Sequence, residues 1–189
     1  MVAFTCTVLM IVVSPSWQIS AISSLTIAFV VYPILAVLEK EKWFANLFVQ
    51  KSKGEIKRSL LKLFVMCAVL TAVAWGFFDE EIIGAAAILM WGTGDAAAAL
   101  IGIPFGKHKV RLPLADGKKS WEGSLAMFVV SAVCGLLVLH FFADLPLMSI
   151  LFGTILAALL GSATELFSSS EWDTVTVPLV ILAILLITM

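Results

Sequence analysis

Ile82-Ile-Gly-Ala-Ala-Ala-Ile-Leu-Met-Trp-Gly-Thr-Gly-Asp95-Ala-Ala-Ala-Ala-Leu-Ile-Gly-Ile-Pro104 holds one charged residue in a run long enough to cross a bilayer. A stretch of about 20 apolar or small residues is the unit that the hydrocarbon core selects. The carboxylate within it is costly, on the order of 2.5 to 3.5 kcal/mol even by lenient insertion scales, so Asp95 needs a reason to be there. Gly92, Gly94, Gly102 and the run Ala96 to Ala99 thin this helix. A thin helix lets another helix or a ligand come close, and Asp95 among these residues points to a site rather than to packing alone.

Working outward, the same apolar length recurs along the chain. Of 189 residues, 61% are hydrophobic and 13% charged, against about 25% charged in a soluble domain. A soluble fold of this size cannot hide so much apolar surface. Spans are expected at 2–13, 19–38, 60–78, 82–104, 121–143, 147–167 and 174–189, the first and last being short. The fold class is an all-α polytopic membrane helix bundle of six or seven transmembrane helices. It forms a single integral membrane domain over 1–189, with 39–59 and 105–120 as cytoplasmic connections. Met1 to Val13 has no Lys or Arg, so it reads as a short membrane helix, or the remnant of a longer one, and not as a signal peptide.

All twelve basic residues fall on one side of that arrangement: Lys40, Lys42, Lys51, Lys53, Lys57, Arg58 and Lys62 around the first long connection, and Lys107, Lys109, Arg111, Lys118 and Lys119 in the second. The positive-inside rule makes that side the cytoplasm of an inner cell membrane and turns Asp79, Glu80 and Glu81 outward. Over 39–59, Trp43, Phe44, Leu47 and Phe48 recur at helical spacing between lysines, the pattern of a surface-lying amphipathic helix. Cys6, Cys67 and Cys134 sit in apolar stretches with no CxxC pair and read as small hydrophobes. Net charge is −1, and no nucleic-acid partner is expected.

Two further polar groups join Asp95 on the basic side. Glu165 stands near the end of the sixth span, and Asp173 opens the last. Carboxylates converging at one depth repel one another unless a cation offsets them, and Mg²⁺ suits such a set because it accepts one or two carboxylates together with phosphate oxygens. Lys118, Lys119, Ser120, Trp121, Glu122, Gly123 and Ser124 run a basic loop straight into a helix. With Ser120 as N-cap, open amides, a positive dipole end and two lysines would form an anion site, for which phosphate is the natural occupant. His108 and His140 are not expected to act: the first lies among lysines and the second near the far end of an apolar helix.

Gly94-Asp95-Ala96 with Ala98, Gly102, Phe105, Gly106 and Lys107, then Lys119-Ser-Trp-Glu-Gly-Ser124, then Glu165 with Asp173 and Pro178, resembles the phytol kinase, dolichol kinase and CTP-dependent diacylglycerol kinase family. These are distant relatives of the phosphatidate cytidylyltransferases. The resemblance covers about residues 54–180, including Arg58 within Gly54-Glu-Ile-Lys-Arg-Ser59, and it departs at Thr174, where many members carry Asn. It implies transfer of the γ-phosphoryl of CTP, or another nucleoside triphosphate, onto the hydroxyl of a membrane isoprenoid alcohol such as phytol or a polyprenol. Asp95, Glu165 and Asp173 are then the catalytic and Mg²⁺-holding residues, one of them able to take the alcohol's proton. Lys107, Lys118, Lys119, Ser120, Glu122, Gly123 and Ser124 are nucleotide-binding, with Gly94, Arg58 and Thr174 in support.

Three rival readings use the same residues. A diacylglycerol kinase differs only in the lipid. A CTP:lipid-phosphate cytidylyltransferase would attack the α-phosphate, although the denser acidic signature expected of it is missing. An ion-coupled transporter also needs intramembrane carboxylates, but it predicts inverted repeats and broken helices that the sequence does not display.

Overall fold

The computed structural model of the chain describes residues 2–38, 55–110, 119–169 and 172–189. They form seven α-helices: α1 (Val2–Val13), α2 (Trp17–Leu38), α3 (Glu55–Thr71), α4 (Glu81–Phe105), α5 (Trp121–Phe142), α6 (Leu147–Phe167) and α7 (Asp173–Thr188). A π-helical turn, Ala72–Phe77, carries α3 onward. Five helical stretches are long and apolar enough to cross a membrane: Trp17–Leu38, Arg58–Phe77, Glu81–Phe105, Trp121–Phe142 and Leu147–Phe167. The chain is therefore an all-α polytopic membrane bundle, since a backbone in hydrocarbon must bond within its own helix.

The expected spans and the observed helices differ most at α3. It begins at Glu55, five residues ahead of the expected 60, because charged residues halt a membrane span without halting a helix. The surface helix expected over 39–59 lies outside the described residues up to 54, and its last residues already belong to α3.

Large side chains face outward and small ones inward. Phe29 is 82% exposed and Phe77 86%, whereas Ala85, Ala86, Ala87, Gly92 and Gly94 of α4 are buried. Lipid tails are as apolar as leucine, so helices here are held by close packing rather than by expulsion from water. At Gly94 the approach leaves no room for a methyl group: a Cβ would collide with the Ser131 hydroxyl of α5, which donates to the Met90 carbonyl at 2.8 Å. The burial of α4 stops there. From Asp95 onward the helix opens, with Ala99, Leu100, Ile101 and Ile103 exposed.

The described basic residues Arg58, Lys62, Lys107, Lys109 and Lys119 share one end of the bundle, because α3 begins where α4 finishes. The Asp79–Glu81 turn lies at the other end. Asp79 there has φ 60°, a conformation that aspartate tolerates better than most residues.

Candidate active site

At the basic end, α4, α5, α6 and α7 enclose a polar cavity of about 230 Å³. From α4, Asp95, Ala98, Ala99 and Gly102 line it, a spacing that sets all four on one helical face. The opposite wall is the start of α5. Gly102 and Gly123 make this junction possible, since a Cβ on Gly123 would stand 3.0 Å from the Ala98 carbonyl oxygen and 3.2 Å from the Gly102 Cα.

Lys119 holds the floor together. Its ammonium reaches Glu165 Oε1 at 3.0 Å, Asp173 Oδ2 at 3.0 Å and the Glu165 carbonyl oxygen at 2.6 Å. An ammonium has three protons, and here each has an acceptor. The side chains of Lys119 and Glu165 are only 8% and 11% exposed, a depth at which either charge alone would be strongly destabilising. Glu165 Oε2 also accepts the Ser124 hydroxyl at 3.0 Å, while Asp173 Oδ1 accepts from Thr174 at 3.3 Å. Thus α5, α6 and α7 are joined by one cation and two anions.

Asp95 differs from its neighbours. It lines the same cavity and feels Lys119, Glu165 and Asp173 only through space, with no hydrogen bond from another described residue. Its oxygens are open to a ligand. Among the described residues no three His, Cys, Asp or Glu side chains stand close enough to cage one metal ion. The expected three-carboxylate set is therefore not preassembled, for a physical reason: Lys119 already offsets Glu165 and Asp173.

The anion site expected of free amides at the start of α5 is also not met. The Gly123 amide donates to the Ser120 hydroxyl at 3.2 Å, that of Ser124 to the Ser120 carbonyl at 3.1 Å and that of Trp121 to the His108 carbonyl at 3.2 Å. The Glu122 carboxylate fills the helix start from within. It accepts the amides of Lys107, His108 and Glu122 itself, along with the His108 ring at 2.7 Å. A carboxylate at a helix N-terminus is favoured by the same dipole that would attract phosphate. Together with the bond from the Val110 amide to the Lys119 carbonyl, 3.0 Å, this pins the base of the loop and presents Lys119 to the cavity.

The structure brings Asp95, Lys119, Ser120, Gly123, Ser124, Glu165 and Asp173 around one space. Glu122 faces His108 instead, Gly94 packs on α5, and Lys107 and Arg58 are exposed and off the cavity wall. Lys118 lies outside the described residues. Ala98, Ala99, Gly102 and Ile103 also line the cavity; the spacing of 98, 99 and 102 from Asp95 was the available signal. His108 carried none, since its partner is fourteen residues away.

A profile of the cytidylyltransferase family matches residues 1–170. The chain is 35% identical over 107 residues to a phytol kinase of Synechocystis, a match covering 55% of this chain and 44% of that protein. To a probable chloroplastic phytol kinase of Triticum aestivum it is 29% identical over 134 residues, covering 67% of this chain and 43% of the other. It thus spans less than half the length of these curated relatives. No solved structure matches.

Proposed function

Because the chain belongs to the cytidylyltransferase family and is similar to phytol kinases, we propose that it transfers the γ-phosphoryl group of a nucleoside triphosphate, CTP foremost, to the hydroxyl of a membrane isoprenoid alcohol. The observation that carries this reading is the single cavity where Asp95 stands open beside the Lys119, Glu165 and Asp173 cluster. It lies at the basic end of the bundle, which the positive-inside rule assigns to the cytoplasm. A lipid hydroxyl at the headgroup plane and a nucleotide from the aqueous side can meet there.

Phosphoryl transfer needs alignment and charge neutralisation more than covalent chemistry. One lysine against three carboxylates leaves the cavity at a formal charge of −2. A triphosphate would be repelled by that field without a divalent cation. Mg²⁺ fits the donors present, since it is commonly held by one or two carboxylates plus phosphate oxygens, and Asp95 is the carboxylate with open lone pairs. When bound, the ion supplies charge neutralisation at the phosphates.

The chain's own residues do the rest. Lys119 fixes the ends of α6 and α7 and contributes its charge, its three protons being engaged. The exposed Lys107, together with Lys118 next to Lys119 in sequence, draws the phosphates in. Ser124, held against Glu165, marks the point at which the acceptor hydroxyl enters. Asp95 is also the group able to take that hydroxyl's proton, because the other two carboxylates are held by a cation.

The test uses CTP labelled at either the α or the γ position, with purified protein and phytol. Label from the γ position in the lipid, with CDP released, is the expected result. Label from the α position in the lipid, with release of pyrophosphate, would replace this reading with cytidylyl transfer.

A further inference from the structure

Beside the polar cavity a second hollow of about 310 Å³ opens between α5 and α6. Leu125 and Phe128 wall it on one side, Leu159, Ala163 and Phe167 on the other. The two spaces share Ser124, whose hydroxyl donates to Glu165. The remaining hydroxyl in the groove, Ser162, is spent on the Leu159 carbonyl at 3.0 Å. Both hydroxyls are thus spent, and the Trp121 indole at the mouth is the remaining side-chain donor on the lining; past it the walls are apolar, and the groove begins where the catalytic cavity ends. It covers about two helical turns, roughly 11 Å.

We propose that this groove seats the part of the acceptor's chain nearest its hydroxyl, and so selects a plain hydrocarbon alcohol over a glycerolipid. The inference rests on the kinase reading above. Continuity at Ser124 decides the occupant: a molecule with its hydroxyl at the cavity must send its first carbons past Leu125 and Ala163. An isoprenoid chain meets only apolar walls there. Diacylglycerol would bring two ester groups within a few bonds of its hydroxyl, and past the lone Trp121 indole the walls return no hydrogen bond to their carbonyls. Hydrophobic transfer is not the source of selectivity, because the bilayer is as apolar as the groove. Alignment is: a seated chain fixes the hydroxyl, and misplacement by about 1 Å can cost on the order of a hundredfold in rate.

The test compares wild type with Ala163→Trp, which fills the groove and leaves every cavity residue in place. Vesicles carry phytol, dioleoylglycerol or a one-isoprene alcohol, and γ-labelled CTP is supplied. Wild type is expected to prefer phytol to dioleoylglycerol. In Ala163→Trp, kcat/KM for phytol falls about tenfold or more, and that for the one-isoprene alcohol, whose few carbons reach only the Ser124 end of the groove, falls by a smaller factor. A phytol analogue with a diazirine close to its hydroxyl should label α5 and α6 of wild-type protein, a readout independent of turnover and of how the variant folds. Unchanged phytol turnover in Ala163→Trp, equal use of dioleoylglycerol, or photolabel confined to other helices overturns the groove assignment alone. A wild type that phosphorylates no alcohol overturns the kinase reading and this inference with it.

Discussion

Lys119 was readable as a cation at a helix start, but its partners were not. They stand 46 and 54 residues further along the chain, and only the packing of α5 against α6 and α7 brings them to it. Sequence alone therefore made Lys119 a phosphate ligand and put Glu165 and Asp173 with Asp95 in a metal set, whereas the structure joins Lys119, Glu165 and Asp173 to each other. The consequence is measurable. Lys119→Met strands the Glu165 charge, at a cost of about 3–5 kcal/mol for a broken buried pair, seen as a large drop in melting temperature in detergent. Adding Glu165→Gln removes the stranded charge and should restore most of the stability without restoring activity. Equal melting temperatures for wild type and Lys119→Met would contradict the buried bridge.

At the scale of elements, the sequence was most informative where hydrocarbon dictates length. The expected spans at 82–104, 121–143 and 147–167 match Glu81–Phe105, Trp121–Phe142 and Leu147–Phe167 to within a residue at each end. It was least informative at the start of α5. Ser120 announced a helix start correctly, but the amides there have two candidate kinds of partner, a bound anion or the chain's own side chains, and in the structure Ser120 and Glu122 accept them. Glu122→Gln should loosen the loop that presents Lys119. The His108 side of the pair is 79% exposed, so stability should change little. KM for the nucleotide should nevertheless rise several-fold, because Lys119 loses its fixed position; an unchanged KM would argue against that role. Gly123→Ala tests the crossing itself. A methyl group 3.0 Å from the Ala98 carbonyl forces α4 and α5 apart, with an expected loss of about 1–3 kcal/mol and a matching loss of turnover. Wild-type stability and activity in that variant would mean the crossing tolerates more space than its geometry implies.

The whole molecule is a bundle with its described basic residues and its polar cavity at one end. Its apolar exterior fixes it in a membrane, and its small-residue interior lets α4 and α5 close at Gly94 and again at Gly102; between those two contacts Asp95 faces a cavity instead of a neighbour. Charge segregation made the basic end visible in the sequence; the arrangement within it, one open carboxylate beside two bridged ones, required the fold. The most direct measurement is phosphoryl transfer by the purified chain in vesicles containing phytol, with γ-labelled CTP and Mg²⁺ on the outside. Wild-type protein is predicted to place label in the lipid, and Asp95→Asn, equally abundant in the vesicles, to lose at least about a hundredfold of that rate. Undiminished transfer by Asp95→Asn, or no transfer to lipid by the wild type, would contradict the account.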